Sequence, residues 1–365
     1  MTGYDVTAST TAQTTITDGD SVRVEANVTI NNPNPNTETF NRFGIYDQTG
    51  GHNAVEILGK VNAFVAVYLT GGHNTVDVAS HGVASGPNAG LEMYLGDNTV
   101  TNEGTVKGPG WGVYFGPWPT MDPFLDGMGN NSFTNSGLVT TSRQPGVRMD
   151  EGGNTLTNSG TIVAVKVEAI RIESRASDAL NTIINTGTIT GGATGVAIVA
   201  GNAPVNITNS GTITGSILMG AGNDSYTGTD HSGATIYGGA GDDTIIGGYK
   251  ADTIVGGLGQ DHMMGGGGAD NFVFNAVTES TGKTAAVDVI THFDFAKDIL
   301  TFNNVAFHIF DHITAGNQLQ AGHAALLDAP HGTSLYLFID ENGVAGYQAG
   351  QDYEIVLKAP LHTPG

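Results

Sequence analysis

Gly238-Gly-Ala-Gly-Asp-Asp-Thr-Ile-Ile246, Gly247-Gly-Tyr-Lys-Ala-Asp-Thr-Ile-Val255, Gly256-Gly-Leu-Gly-Gln-Asp-His-Met-Met264 and Gly265-Gly-Gly-Gly-Ala-Asp-Asn-Phe-Val273 follow one another without a gap. The nonamers follow the form Gly-Gly-x-Gly-x-Asp-x-apolar-x, with Lys in place of the third Gly in the second copy, and each divides into a six-residue turn and a three-residue strand. Glycine permits the positive-φ backbone such turns need and lets carbonyl oxygens converge, while the sixth-position carboxylate adds charge. The strand slots put Ile245, Ile254, Met263 and Phe272 inward, so that two nonamers make one coil of about 18 residues. A separated copy, Met219-Gly-Ala-Gly-Asn-Asp-Ser-Tyr-Thr227, has Met in place of the first Gly. The alternative, a Gly- and Asp-rich flexible linker, has no reason to keep an apolar residue in every strand slot.

Carboxylate and carbonyl oxygens are hard donors of the kind that suit Ca²⁺. Asp224, Asp243, Asp252, Asp261 and Asp270 are the carboxylates of the five copies. From 219 to 270 there are seven Asp and one basic residue, Lys250. A metal-free stack of this kind is expected to repel itself and stay unfolded, so that metal binding energy becomes folding energy.

Upstream the period lengthens. A motif of the form Asn, Thr or Ser, apolar, x, Asn, x, Gly, Thr, apolar starts at 98, 131, 154 and 181, again over Val205–Ile213, and more loosely at 20, 53 and 74. The spacings are 33, 21, 24, 33, 23, 27 and 24. Each interval also holds a second alternating run, such as Phe64-Val-Ala-Val-Tyr68 or Leu91-Glu-Met-Tyr-Leu95. Two or three short strands per interval are too little for a propeller blade and fit one coil of a parallel β-helix, whose coils bury a core jointly. Asn102, Asn135, Asn158, Asn185 and Asn209 recur at one place in the coil. They are either an asparagine ladder or turn formers.

The nonamers resemble those of the RTX family of proteins exported by type I secretion, and the resemblance covers about 219–360. Asn271-Phe-Val-Phe274 and Asp288-Val-Ile-Thr-His-Phe-Asp-Phe-Ala-Lys-Asp298 look like the segment after the roll in that family. The stretches Leu335–Gly343 and Asp352–Leu357 look like the end that carries its uncleaved export signal. The resemblance implies Ca²⁺ ligation by the second, fourth and sixth nonamer positions, the first two through backbone carbonyls. Here these are Gly239, Gly241 and Asp243; Gly248, Lys250 and Asp252; Gly257, Gly259 and Asp261; and Gly266, Gly268 and Asp270. The separated copy offers Gly220, Gly222 and Asp224, although its partner coil, 228–237, lacks the pattern. Lys250 replaces a Gly, which leaves a carbonyl but makes the turn harder to adopt and sets an ammonium beside the site. Low calcium inside the cell and millimolar calcium outside are what the resemblance implies for export followed by folding.

Of 365 residues, 55 are Gly, none is Cys, and 35 acidic against 13 basic residues give a net charge of −22. Nucleic acid and anionic membranes need a basic face and are poor partners. No apolar stretch is long enough for a membrane helix, and the Thr-rich residues 1–19 show no basic or apolar leader region, so neither anchor nor leader is expected. Without Cys there are no disulfides, thiolate metal sites or thiol nucleophiles. No H-E-x-x-H or G-x-S-x-G element occurs, and His308 with His312 lacks the Glu and third ligand of a zinc site. Two constellations suit a polysaccharide lyase or epimerase, enzymes that set a parallel β-helix beside RTX modules: Tyr46-Asp47 with His52, and Arg148 and Asp150 beside Arg171 and Glu173. Each reads equally as a solvated outer face. Trp111 and Trp118 are candidates for stacking on sugars or for covering a coil.

The expected fold is all-β: a right-handed parallel β-helix, or β-solenoid, continuing as one rod into a calcium-binding RTX β-roll with a β-rich C-terminal cap. The expected segments are a strand or cap at 1–19, about eight helix coils at 20–215, the roll at 216–275, and cap plus type I secretion signal at 276–365. No catalytic motif emerges, so the expected role is that of a secreted, extracellular or cell-surface structural protein: a surface layer, filament, biofilm matrix component or adhesin. A lyase or epimerase and a monomeric glycan-binding module are the alternatives. Expected partners are copies of itself through the solenoid ends, cell-surface polysaccharide and the type I export machinery, with no nucleic acid and no membrane insertion.

Overall fold

Short strands of two to six residues, many of them alternating apolar and polar side chains, make up the described sheets, and nearly all of these strands pair in parallel with the strand one coil away. The computed structural model describes residues 3–32, 42–47, 50–116, 129–174, 179–229, 233–280, 287–303, 310–312, 324–328, 335–339 and 353–358. The chain divides into two units, Met1–Ser216 and Ile217–Gly365.

The first unit is a parallel β-helix with three sheets, and each coil adds one strand to each sheet. The coil around 100 shows the pattern: Thr99–Asn102 lies in the first sheet, Thr105–Gly108 in the second and Trp111–Gly116 in the third. Among the described residues the second sheet runs through eight strands from Thr29–Asn31 to Thr212–Thr214. Gly3–Val6 pairs in parallel with Ser21–Val24, and Thr14–Thr15 with Ile45 and Tyr46, so residues ahead of 20 already contribute strands to the sheets.

One face of each strand points into the coil. In the first sheet Val22, Val55, Val76, Val100, Phe133, Leu156, Ile183 and Ile207 stack in register as a buried column. Each such side chain contributes roughly 1.5–3 kcal/mol by leaving water. Gly90 and Gly112 are required where the third sheet closes on the second, because a Cβ at either would collide with Val106 or Val139.

Two asparagine ladders bracket the first sheet. Asn102, Asn135, Asn158, Asn185 and Asn209 are fully buried, and each Nδ2 donates to the Oδ1 of the next at 2.7–2.8 Å. Of the two readings the sequence allows, the structure takes the ladder. A second ladder at the other strand end joins Asn53, Asn74, Asn98, Asn131, Asn154 and Asn181 at 3.0–3.1 Å. Here each acceptor oxygen also takes the backbone N–H of the preceding member. Amides that bond their own copies satisfy groups whose burial would otherwise cost about 1–3 kcal/mol each.

The second unit contains the nonamers as a two-sheet β-roll. One sheet stacks Ser225–Gly228, Thr244–Gly248, His262–Gly266 and Asp288–Thr291. The other stacks Thr235–Ala240, Thr253–Leu258, Asn271–Phe274 and Ile299–Phe302. Thr244 pairs with His262 and Thr253 with Asn271, so one coil consumes two nonamers. Tyr226, Ile245, Met263 and Ile290 fill one inward column, and Ile236, Ile254 and Phe272 the other. Both sheets extend beyond residue 275, and Tyr353–Lys358 adds to the first of them in parallel. Ala324–Asp328, Leu335–Ile339 and Tyr353–Lys358 then pair antiparallel in succession.

Candidate metal centre

The roll turns adopt the backbone that the glycine spacing predicts. Gly239 and Gly241, Gly257 and Gly259, and Gly266 and Gly268 all have φ between 97° and 135°. Gly220 and Gly222 of the separated copy share that geometry, at 100° and 124°. The exception is the turn with Lys250, where neither Gly248 nor Lys250 has positive φ. A residue with a Cβ resists that region, so the substitution reshapes its own turn. The first Gly of the contiguous nonamers meets a steric demand of its own. A Cβ at Gly238, Gly256 or Gly265 would collide with the Oδ2 of Asp243, Asp261 or Asp270.

The sixth-position aspartates are buried and form two columns. In one, Oδ1 of Asp243 accepts the backbone N–H of Asp224 at 2.8 Å, Asp261 that of Asp243 at 2.9 Å, and Asp288 that of Asp261 at 2.8 Å. In the other, Asp252 accepts from Ala234 at 2.6 Å, Asp270 from Asp252 at 2.9 Å and Asp298 from Asp270 at 3.0 Å. Asp288 and Asp298 therefore close columns that the nonamer pattern leaves open. Their offsets of 27 and 28 residues from Asp261 and Asp270 exceed the 18 of a regular coil, so the intervening non-repeat sequence hides the relation. At the opposite end Ala234 stands where a carboxylate would start the second column.

While Oδ1 is engaged, Oδ2 of Asp243, Asp261, Asp270 and Asp288 is buried with no hydrogen-bond partner. Burial foremost, and then neighbouring carboxylates, push the Asp243 carboxyl up to about 8 and Asp288 to about 9. Asp261 rises to about 6, again mainly through burial. Ionising these carboxyls in place therefore calls for a compensating positive charge. Among the described residues no three His, Cys, Asp or Glu side chains converge on one point. A cation held here thus takes backbone carbonyl oxygens together with carboxylates, an all-oxygen set of the kind Ca²⁺ selects.

Residues 237–272 match the family model of the RTX calcium-binding nonapeptide repeat, in 4 copies. These are RTX repeats. RTX nonapeptide repeats bind calcium, and the orphaned carboxylate oxygens and positive-φ glycines of this roll fit that ion. No curated protein matches the chain.

Outside the RTX roll, the first unit separates one of the sequence-derived constellations and assembles the other. Tyr46 points out of the third sheet into a stack with Phe43 and Tyr68. Asp47 is buried and accepts from Asn53 Nδ2 at 2.6 Å. His52 is exposed, 3.6 Å from Asp18, so the three do not share a site. Arg148, by contrast, bonds Asp150 and Glu173 at 2.8 Å each, and Arg171 meets Glu173 at 3.4 Å and also pairs with Glu168. Tyr114 donates its O–H to Asp150 Oδ2 at 3.0 Å. Burial first, then the Asp150 charge, raises the Tyr114 phenol, which keeps it a proton donor. The cluster is thereby closed upon itself by ion pairs. Trp111 stacks on Tyr114 at 4.9 Å, whereas Trp118, His308 and the side chain of His312 lie outside the described residues.

A buried carboxylate missed by sequence reasoning stands in the same outer face. Glu92 occupies the register position between Tyr68 and Tyr114, takes a hydrogen bond from Tyr94 at 3.2 Å and another from Asn88, and is pushed up to about 7 by burial.

Proposed function

We propose that the chain is an extracellular, calcium-dependent structural protein of a bacterial cell surface, ligating Ca²⁺ through the second, fourth and sixth positions of its RTX turns and through Asp288 and Asp298. The observation that carries the calcium dependence is the set of buried Oδ2 atoms without a partner, stacked coil upon coil. Buried carboxylates of this kind cost several kcal/mol each when ionised and unpaired. Millimolar calcium outside a cell turns that cost into the driving force for folding. In this reading the chain crosses a type I export channel unfolded, as RTX proteins typically do, and folds on release.

The structural role, as surface layer, filament, matrix component or adhesin, is supported by a first unit given over to ladders and packed columns. It is supported too by the exposed residues Gly3, Tyr4 and Asp5 on its first strand, an edge of the kind that pairs with another chain. The test is light scattering of the chelated protein titrated with calcium to millimolar levels, with negative-stain images of the same samples. Large regular objects are the expected result. A calcium-folded particle that stays near 37.5 kDa would count against self-assembly, and the absence of any calcium response would remove the reading altogether.

A further inference from the structure

We propose that a corner groove of the first unit, beside its second sheet, binds an extended, uncharged polysaccharide chain. The groove encloses about 600 Å³. One side is the in-register stack Asn31, Asn62, Ser85, Lys107 and Thr140, one residue from each of five successive coils. Phe64, Pro87, Pro109, Ser142 and Val165 line it as well, again from successive coils. Gly86 and Gly108 keep the coils in close approach, since a Cβ at Gly108 would collide with the carbonyl of Gly86.

The occupant follows from periodicity, chemistry and charge. Coils rise about 4.8 Å each, so six of them extend the groove to about 24 Å. That step is close to the rise of one sugar in an extended β-linked pyranose chain, which lets every coil meet a sugar in the same way. Amide, hydroxyl and ammonium groups supply hydrogen bonds on one side. Pro87 and Pro109 supply apolar faces for sugar C–H groups, and the Phe64 ring, packed on the aromatic cluster of the third sheet with the Arg42 guanidinium 4.9 Å over it, adds an apolar edge. In a chain with 35 acidic residues the lining holds, among the described residues, no carboxylate and one cation, Lys107. An uncharged chain therefore enters without repulsion, whereas a polyanion meets the field of a protein of charge −22. A peptide strand is disfavoured because the second-sheet strands here already pair with the coils above and below, leaving no open edge to extend.

This inference gives the proposed surface role a partner, yet it stands on the first unit alone, which contains no nonapeptide turn. The experiment is calorimetric titration of the full chain in millimolar calcium with cellohexaose, β-linked mannohexaose, the corresponding trimers and a hexauronate. At least one neutral hexamer is expected to bind, with its trimer and the hexauronate weaker by tenfold or more. Lys107→Ala, at an exposed position, and Phe64→Ala are each expected to weaken binding at least fivefold with an unchanged circular dichroism spectrum. Failure of both neutral hexamers, preference for the hexauronate, or full affinity in both variants would overturn the groove. Calcium-induced folding is read in the same samples, so its loss with sugar binding intact would count against the surface reading and leave the groove standing.

Discussion

Asp261 sits in the middle of a carboxylate column, with Oδ1 on the Asp243 N–H and Oδ2 buried and unpaired. Asp261→Asn keeps the first interaction and removes the charge. It is expected to lower calcium affinity at least tenfold, about 1.4 kcal/mol, in a calorimetric titration. Lys250→Gly is expected to act in the opposite sense, because it restores a residue that tolerates positive φ and deletes a cation from the turn. A gain of about two- to fivefold, the scale of one exposed charge interaction, is the expected reading. Glu92 gives a pH signature in the first unit. Its folded pKa of about 7 lies above the ordinary carboxyl value of 4.5, so the folded state binds the proton more tightly and stability falls as pH rises from about 4.5 to 7, then levels off. The loss amounts to about 3 kcal/mol, and Glu92→Gln is expected to flatten the melting temperature of this unit across that range.

At the level of the strand, the ladders hold the first unit in register. Asn158 bonds Asn135, Asn185 and the carbonyls of Gly160 and Thr188. Asn158→Ala strands buried partners on both neighbouring coils and is expected to cost about 2 kcal/mol, seen as a melting temperature lower by roughly 4–8 °C. This ladder was legible in the sequence because its members end a strand whose apolar spacing repeats. The second ladder was not, although every member opens the same motif, because an Asn ahead of a strand looks the same whether it turns the chain or bonds its copy. Register likewise conceals the Tyr46, Tyr68, Glu92, Tyr114 column: its members are separated by corners of unequal length, so no fixed period links them. Asp288 and Asp298 escaped for a related reason, since a non-repeat insertion stands between them and the turns they complete.

For the molecule as a whole, the two units carry different dependences. The first is held by apolar columns and amide ladders, whereas the roll stacks buried carboxylates whose ionised form calls for a cation. Limited proteolysis of the chelated chain is therefore expected to cut within 217–365 and spare most of 1–216, with millimolar calcium protecting both. Equal cleavage in the two segments would contradict that division. The hydrogen bonds of the columns run between coils: the oxygen that orders one aspartate's backbone belongs to the next coil. Each ion that settles one turn thus prepares the turn beside it, in the manner of a one-dimensional chain with nearest-neighbour coupling. Such a chain answers over a narrow concentration range, so the roll is expected to read calcium as a threshold, with few half-ordered molecules on either side of it.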